Sequence, residues 1–399
     1  MAAMLKKALA VVASVLLSGS LLAADPALRP DHPETYVVKR GDTLWDISAR
    51  FLKSPWLWPE IWQANPQIEN PHLIYPGDLI SLVYIDGRPH LVVEPSGESK
   101  LSPQVRRESL DEAVRPIPLA DLRQFLERPR VLSKDEVDNA PYIVGLEESR
   151  ILGAAGELAY VRNVGDARVG DRFMVARPML HYTDVPARHV FDRKERRVRS
   201  HDWRKGRGEV FGGERHWAFV DWIYDKMGES LGYEVLVIGT ASVSKLGDPT
   251  TVYLTYDDIE IKQGDLLVPY QEVEFDLEYL PHTPESVPEN MRVIAFTGPL
   301  NAVGPREVVV LNRGARDGVE NGEVYAIYQP GEKIQDEVMY DKSTWRAFFS
   351  PRKSKVTLPE EYIGHVMIFR TFDSLSYGLV MDAVKPTHLH DQLRMPVER

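Results

Sequence analysis

The sequence of 399 residues contains no cysteine, and this absence excludes several kinds of chemistry. Without a thiol the chain has no nucleophile for a cysteine peptidase or a cysteine transpeptidase, and it forms no disulfide. Lipid attachment at a bacterial lipoprotein cysteine is excluded in the same way. Stability is therefore expected to rest on packing alone. Serine acyl-transfer chemistry is not expected either.

Long apolar runs are scarce as well. One run, residues 8–22, follows Lys6 and Lys7 and ends at Ala23-Ala24. A basic start, an apolar centre and a small-residue end are typical of a secretory signal peptide. We expect residues 1–24 to be this signal peptide, with an uncleaved anchor as the alternative. No second stretch of about 18 apolar residues predicts a transmembrane span, so the mature chain is expected to be periplasmic or secreted.

Acidic residues outnumber basic ones, 59 to 48, and the formal net charge is −11. This balance gives no general case for nucleic-acid binding. Basic residues nevertheless concentrate in one segment, 192–207, beside His201 and Trp203. They are Arg193, Lys194, Arg196, Arg197, Arg199, Arg204, Lys205 and Arg207. The segment is expected either to hold an anionic polymer, lipid headgroups or an acidic partner, or to be a solvated loop whose charges pair locally.

The stretch 35–84 has the pattern of a complete small unit. A β-branched run at 36–38 is followed by the turn Gly41-Asp42, and Asp42 or Thr43 is placed to cap a helix. The helical spacing predicts apolar positions Leu44, Ile47 and Phe51 in the first helix, and Trp58, Ile61 and Trp62 in a second. The turn Pro76-Gly77-Asp78 then precedes the apolar run 79–84. The predicted order is strand, helix, helix, strand.

Three separate pieces of this stretch closely resemble the LysM domain. They are the opening Tyr-x-Val-x-x-Gly-Asp-Thr-Leu-x-x-Ile from Tyr36, the central Asn65-Pro66, and the closing Ile-x-Pro-Gly-Asp-x-Ile from Ile74. The resemblance covers about fifty of the 399 residues. One departure is the segment Ser54-Pro-Trp-Leu-Trp-Pro59, which lengthens the region between the two helices.

The resemblance implies a module that binds N-acetylglucosamine-containing glycans, in bacteria usually peptidoglycan. Its groove would lie between the loop after the first strand and the loop before the last. The glycan-binding residues that it implies are Gly41, Asp42, Thr43, Leu44, Pro66, Gln67, Ile68 and Ile74. Backbone donors and acceptors in an apolar cleft suit a neutral amino sugar, although Asp42 and Thr43 are open to the alternative role of helix capping.

Four tryptophans in this unit are candidates for stacking on sugar rings or for packing in the core of a very small domain. Trp62 and Trp45 are expected to be in the core. Trp56 and Trp58 are the better candidates for an exposed surface.

The rest of the chain is expected to be multidomain and β-rich. Residues 85–145 are predicted to form a linker with a hairpin at Asp86-Gly87 and short helices, among them one at 118–127 and one begun by a capping box at Ser133–Glu136. Two related all-β modules, each a small barrel or sandwich, are predicted at 146–271, which includes the basic segment, and at 290–398.

An internal repeat supports this pair of modules. Residues 157–161 parallel 307–311, and four residues from Gly170 to Pro178 match Gly322, Tyr325, Ile327 and Pro330 at a spacing of 152. Residues 234–238 then parallel 365–369, and 261–267 parallel 389–393. Chance similarity among short strands is the alternative.

Metal chemistry is not expected. His388 and His390 form an H-x-H pair, but a zinc site needs a third protein ligand. His365 is the other candidate nearby, and the sequence shows no accompanying Asp. We therefore expect a polar turn at this position, with no metal and no cofactor.

Together these features predict a non-enzymatic, cell-wall-associated protein that binds peptidoglycan glycan strands through its N-terminal unit. The β modules would present a surface to an envelope protein partner. Two alternatives remain: a peptidoglycan hydrolase or lyase with an unrecognised active site in the β modules, and a scaffold of an envelope machine whose glycan groove is vestigial.

Overall fold

The computed structural model describes residues 28–62, 74–85, 87–94, 129–184, 198–202, 229–270, 280–296, 302–331, 333–336, 338 and 355–396. The chain divides into two compact units between residues 114 and 115. The predicted signal peptide and the helix predicted at 118–127 lie outside the described residues. Within those residues, none of the helices is long and apolar enough to cross a membrane.

The first unit has the predicted order of strand, helix, helix and strand, followed by one more strand. Its elements are β1 (Thr35–Val37), α1 (Leu44–Phe51), a 3-10 helix (Pro55–Leu57), α2 (Trp58–Trp62), β2 (Leu79–Ile85) and β3 (Arg88–Glu94). The strands form an antiparallel sheet in the order β1-β2-β3. Gly87, at φ +81°, turns the chain between β2 and β3, as predicted.

Burial of one face of α1 organises the core of this unit. Leu44, Ile47 and Phe51 recur at helical spacing and are all buried, and each such side chain contributes about 2 kcal/mol when taken out of water. The same core cluster contains Val38, Leu52, Trp58, Ile61, Ile74, Ile80 and Leu91. Both helices are thus held against the three-stranded sheet by one continuous apolar cluster.

The second unit begins with a closed barrel. Its elements are β4 (Pro129–Leu132), α3 (Lys134–Asn139), β5 (Tyr142–Leu146), a 3-10 helix (Glu147–Ser149), β6 (Leu152–Gly153), β7 (Leu158–Arg162), β8 (Arg172–Asp184), β9 (Val198–Asp202), β10 (Glu229–Lys245), β11 (Thr250–Asp257), β12 (Ile261–Lys262) and β13 (Leu266–Pro269). Six strands pair in the order β10-β11-β7-β5-β13-β8, and the barrel closes because β8 also pairs with β10. The predicted capping box starts α3, since Ser133 and Glu136 bond each other's backbone amides.

A half-barrel sheet follows in the same unit. Its elements are β14 (Val293–Phe296), β15 (Ala302–Val303), β16 (Val308–Leu311), a 3-10 helix (Ala315–Asp317), β17 (Val324–Gln329), β18 (Lys333–Gln335), β19 (Lys355–Thr357), β20 (Glu361–Thr371), β21 (Ser376–Ala383), β22 (Thr387–His388) and β23 (Gln392–Arg394). Six of these strands pair in the order β14-β16-β21-β20-β17-β23, and a single bridge between Arg292 and Gln392 links the two edges. The predicted fold class, a small α+β unit followed by β-rich modules, is confirmed.

The ends of β8 and β10 extend beyond the barrel as an arm. β11 pairs with β10 only from Gly239 onward, and β13 pairs with β8 only up to Ala176. Residues 177–184 and 229–238 continue outward as a pair, with β9 on one side and β4 on the other. We call this four-stranded extension the first arm.

The first arm contacts the half-barrel through buried polar groups. Asp184 accepts hydrogen bonds from Arg292 and, at 3.0 Å, from Asn312 Nδ2. Glu234 Oε2 accepts hydrogen bonds from Tyr182 at 2.5 Å and from Tyr377 at 2.8 Å. Burial raises the pKa of both phenols well above the ordinary value, so they remain hydrogen-bond donors at neutral pH. These bonds tie the barrel and the half-barrel into one compact unit.

Two buried carboxylates sit at similar turns of the second unit but in different electrostatic settings. Asp265 accepts the backbone amide of Lys262 and a two-pronged pair of hydrogen bonds from Arg177, at 2.8 and 2.7 Å. Asp391 accepts the backbone amide of His388 at 2.8 Å and is 1% exposed. Its burial raises the pKa of the Asp391 carboxyl from 3.8 to about 6.

Replacement of Asp391 by Asn is expected to stabilise the protein at pH 7.5 and to change little at pH 4. Because the folded pKa is the higher one, the protonated carboxyl favours folding, and that stability is lost as the pH rises through about 6. The gain at neutral pH is expected to be about 2 kcal/mol. It is to be measured by urea unfolding of the full chain, followed by circular dichroism, at both pH values.

Asp265→Asn is the matched control, because it removes an ionised partner from Arg177. It is expected to lose about 3 kcal/mol at pH 7.5. If Asp391→Asn kept the pH dependence of the unaltered protein between pH 4 and 7, the burial of an ionised Asp391 would not be the source of that dependence.

Candidate functional site

The loop after β1 and the loop before β2 lie side by side in the first unit. The amide of Val38 donates to Asp78 O at 2.9 Å, and the amide of Gly77 donates back to Val38 O at 2.8 Å. The side chain of Asp78 is buried and accepts the amide of Tyr75 at 2.9 Å, which holds the second loop in a tight turn. The structure thus places residues 75–78 beside the end of β1, while the second loop of the predicted groove, Pro66 to Ile68, lies outside the described residues.

Asp42 holds the first loop in shape. Its Oδ2 accepts the hydroxyl of Tyr36 and the amide of Lys39, both at 2.8 Å. Burial raises the pKa of the Tyr36 phenol, and the neighbouring Asp42 carboxylate adds to the shift. The guanidinium of Arg50 lies 4.4 Å from the centre of the Tyr36 ring. Sequence reasoning did not include Tyr36 in the site, because this contact depends on how the loop folds back onto β1.

Thr43 is the residue that caps α1. Its hydroxyl oxygen accepts the amide of Asp46 at 3.1 Å, and Asp46 Oδ2 accepts the Thr43 amide in return at 3.3 Å. Thr43 is itself buried. Its side chain therefore serves the helix start, which was the alternative role predicted for it.

The other predicted glycan-binding residues differ in their access to solvent. Gly41 is exposed at φ +89°, with open space where a side chain would stand. Leu44 and Ile74 are buried in the core cluster. Pro66, Gln67 and Ile68 lie outside the described residues, and the glycan contacts of all these residues stay predictions.

The expectation that Trp56 and Trp58 are exposed is wrong. Their exposed fractions are 2% and 1%, and Trp45 is equally buried, as predicted. The 3-10 helix Pro55–Leu57 turns the inserted segment inward, so that the ring of Trp56 lies 6.3 Å from that of Trp45. The extra residues between the two helices therefore enlarge a small core and do not form an aromatic surface.

His365 has a carboxylate partner that lies far from it in the sequence. His365 Nδ1 lies 3.0 Å from Asp382, which faces it on the neighbouring strand β21. The Tyr362 hydroxyl lies 3.0 Å from the same nitrogen. Among the described residues, no group of three or more His, Cys, Asp or Glu side chains is placed to hold a metal ion.

Sequence reasoning missed a serine–histidine contact. Gly228-Glu-Ser-Leu-Gly232 has the spacing G-x-S-x-G, and Ser230 Oγ lies 2.9 Å from His181 Nε2. The imidazole is buried and stacks on Tyr233 at 4.0 Å. In hydrolases this motif places the serine on a sharp turn between a strand and a helix, whereas Ser230 lies within the continuous strand β10.

Little of the basic segment 192–207 falls within the described part of the chain. Its described portion is β9, Val198–Asp202, which pairs with β8 from Leu180 to Asp184. The role of its basic side chains stays a prediction.

Comparison with known proteins gives the class of the first unit. Residues 36–82 match the family model of the LysM domain. A 60-residue segment is 37% identical to the protein named "Uncharacterized protein YqbP" of Bacillus subtilis (strain 168), and it covers 12% of this chain and 27% of that protein. The chain thus spans about a quarter of the length of this curated relative.

Residues 36–82 therefore form a LysM domain, and the resemblance found in the sequence is confirmed for this segment. A LysM domain indicates binding of N-acetylglucosamine-containing glycans such as peptidoglycan. Domains of this family are typically extracellular or associated with the cell wall.

Thr43→Ala is expected to lower the unfolding free energy of the LysM domain by about 1 kcal/mol, because the start of α1 loses its side-chain acceptor. Thr43→Ser keeps that acceptor and is expected to lose only a small part of the stability. Urea unfolding of the full chain, followed by tryptophan fluorescence, compares the two variants. Equal losses in both would contradict the capping role.

Proposed function

We propose that this protein is a non-catalytic, exported binder of peptidoglycan. Its LysM domain would hold N-acetylglucosamine-containing glycan strands, and its β-rich unit would anchor or scaffold an envelope protein at the cell wall. The observation that carries the proposal is the pair of adjoining loops in the LysM domain. The first of them presents backbone at Gly41, where a ligand can approach closely.

The chemistry of these loops supports a neutral ligand. The Asp42 carboxylate is engaged by Tyr36 and by the amide of Lys39, and the Thr43 hydroxyl caps α1. Recognition would therefore use backbone amide and carbonyl groups beside an apolar core, which suits an acetamido group and its methyl. Such contacts bind a sugar without requiring an ionised catalyst.

We also infer that the barrel and the half-barrel are two copies of one module. Their main strands pair in the same cyclic order. In both modules, a glycine in the long central strand lies against the backbone of the neighbouring strand. A β-carbon on Gly239 would clash with the carbonyl oxygen of Tyr256, and a β-carbon on Gly364 would clash with that of Asp382. These glycines correspond at a spacing of 125 residues, whereas the matching of 234–238 with 365–369 implied 131. A tandem of modules suits a scaffold, because it offers two similar surfaces.

The contact between Ser230 and His181 favours one rival, a hydrolase acting on the cell wall. A serine hydroxyl beside an imidazole is the arrangement that acyl transfer requires. The strand setting of Ser230 and the stacking of His181 on Tyr233 instead favour a structural hydrogen bond within the first arm. The experiments below separate the two roles.

Gly41→Val is expected to weaken binding to insoluble peptidoglycan by at least about tenfold, or about 1.4 kcal/mol. A β-branched side chain at positive φ strains the loop and fills the space where a sugar would approach. The matched control is Gly87→Val, because Gly87 also has a positive φ and open space around it, but it lies at the far end of β2. Pull-down of the full mature chain measures both, beside a chain lacking residues 35–84.

Equal loss of binding in the two glycine variants would count against the predicted groove, and retention of binding without residues 35–84 would overturn the LysM anchor. The supernatants are assayed for released muropeptides, and none are expected. Release that disappears in Ser230→Ala would assign hydrolysis to that serine, and release that disappears in His365→Ala would assign it to the pair with Asp382. Either result would overturn the non-catalytic proposal.

A further inference from the structure

The half-barrel carries a counterpart of the first arm. The paired strands β18 and β19, with the residue that follows each of them, extend β17 and β20 in the way that residues 177–184 and 229–238 extend the barrel. We call residues 333–336 and 355–358 the second arm. With the module correspondence inferred above, Ile334, Asp336 and Val356 take the positions of Tyr182, Asp184 and Leu231.

The two arms differ in what covers them. On the first arm, Tyr182 and Leu231 are 1% and 2% exposed. On the second arm, Ile334, Val356 and Leu358 are 39%, 45% and 42% exposed. Exposed neighbouring apolar side chains at positions that are buried in a related module indicate an uncovered contact surface.

The half-barrel contacts the end of the first arm through a cluster of polar side chains. Asp184 is bonded by Arg292 and Asn312, and Arg313 Nη1 lies 3.7 Å from its Oδ2. Nearby, Arg316 and Glu229 form an ion pair at 2.6 Å. One carboxylate of the arm is therefore met by basic and amide groups from the start of β14 and the end of β16.

Among the residues that the structure describes, none forms an arm of this kind over the corresponding part of the barrel. The pairs Tyr142–Leu266 and Ile143–Val161 of the barrel match Arg292–Gln392 and Val293–Leu311 of the half-barrel. The counterparts of Arg292, Asn312 and Arg313 are therefore Tyr142, Arg162 and Asn163. All three line an open pocket of about 500 Å³, which is also lined by Val161 and Thr250.

We propose that the second arm of one chain docks into this barrel pocket of a second copy of the chain. Asp336 would meet Arg162 and Asn163 as Asp184 meets Asn312 and Arg313, and Ile334 would pack near the Tyr142 ring. The contact joins two different surfaces, so a pair of chains still presents one second arm and one barrel pocket to further copies. A heterologous contact of this type builds head-to-tail rings or filaments.

The charges at the two surfaces are compatible with this docking. Arg162 donates two hydrogen bonds to Asp248, at 3.0 and 3.2 Å, and Asp248 lines the same pocket. The two side chains are 54% and 71% exposed. An exposed ion pair contributes roughly 1 kcal/mol or less, and Asp336 would have to displace the Asp248 carboxylate from Arg162 on docking. The inference rests on the equivalence of the two modules and is independent of glycan binding.

A charge exchange between two variants of the full mature chain tests the proposal by sedimentation over about 1 to about 100 µM. The unaltered protein is expected to associate with increasing concentration. Asp336→Arg and Arg162→Glu should each weaken association by about tenfold or more, because like charges then face each other. An equimolar mixture of the two variants should associate again, which a variant that simply misfolds would not do.

Cysteine cross-linking supplies a second measurement, because the chain has no other thiol. Ile334→Cys mixed with Val164→Cys, in the pocket lining, should give disulfide-linked dimers. Ile334→Cys mixed with Ile151→Cys, which is 86% exposed but does not line the pocket, should not. A monomer at all concentrations without cross-links, or association that neither charge variant weakens, would overturn the proposal. Peptidoglycan pull-down of the same variants is expected to be retained, so the two proposals fail separately.

Discussion

A strand that ends in a tight turn leaves a backbone amide without a partner, and an amide buried in that state is costly. In several turns of this protein, the carboxylate of the residue three positions later accepts a hydrogen bond from that amide. Asp42 accepts Lys39 N, Asp78 accepts Tyr75 N, and the same bond recurs at Asp171, Asp265, Glu323 and Asp391. The bond to Asp78 is buried and those to Asp265, Glu323 and Asp391 are partly buried, so these turns depend on them most, whereas the bonds to Asp42 and Asp171 are exposed.

The same device shapes the candidate site. Asp42 and Asp78 fix the two adjoining loops, so the backbone that would meet a sugar is held rigid by the acids beneath it. Rigid presentation lowers the entropy lost on binding. The acidic composition of the chain therefore has a structural use that is separate from any attraction of charged ligands.

Local sequence signals predicted the local structure well, since caps, turns and short-range periodicity act within a few residues. Thr43 capping α1, the hairpin at Gly87 and the capping box at Ser133 follow from residues close together in the chain. The misses concern contacts between distant residues. The burial of Trp56 and Trp58 depends on the 3-10 helix, which turns both side chains inward. The contact of Asp382 with His365 depends on the pairing of β20 with β21, which local sequence does not show. The two arms were not predicted, because the residue pattern of a strand does not show which other module that strand contacts.

The first arm also affects the order in which contacts form during folding. Asp184 meets Arg292 and Asn312 across 108 and 128 residues of chain, and Glu234 meets Tyr377 across 143. Contacts of such long range form late. While the chain emerges from its N-terminus, the barrel is complete before its arm has a half-barrel to cover. Folding at high protein concentration is therefore expected to favour exchange of the first arm between chains, and folding at low concentration is expected to favour its contact within one chain.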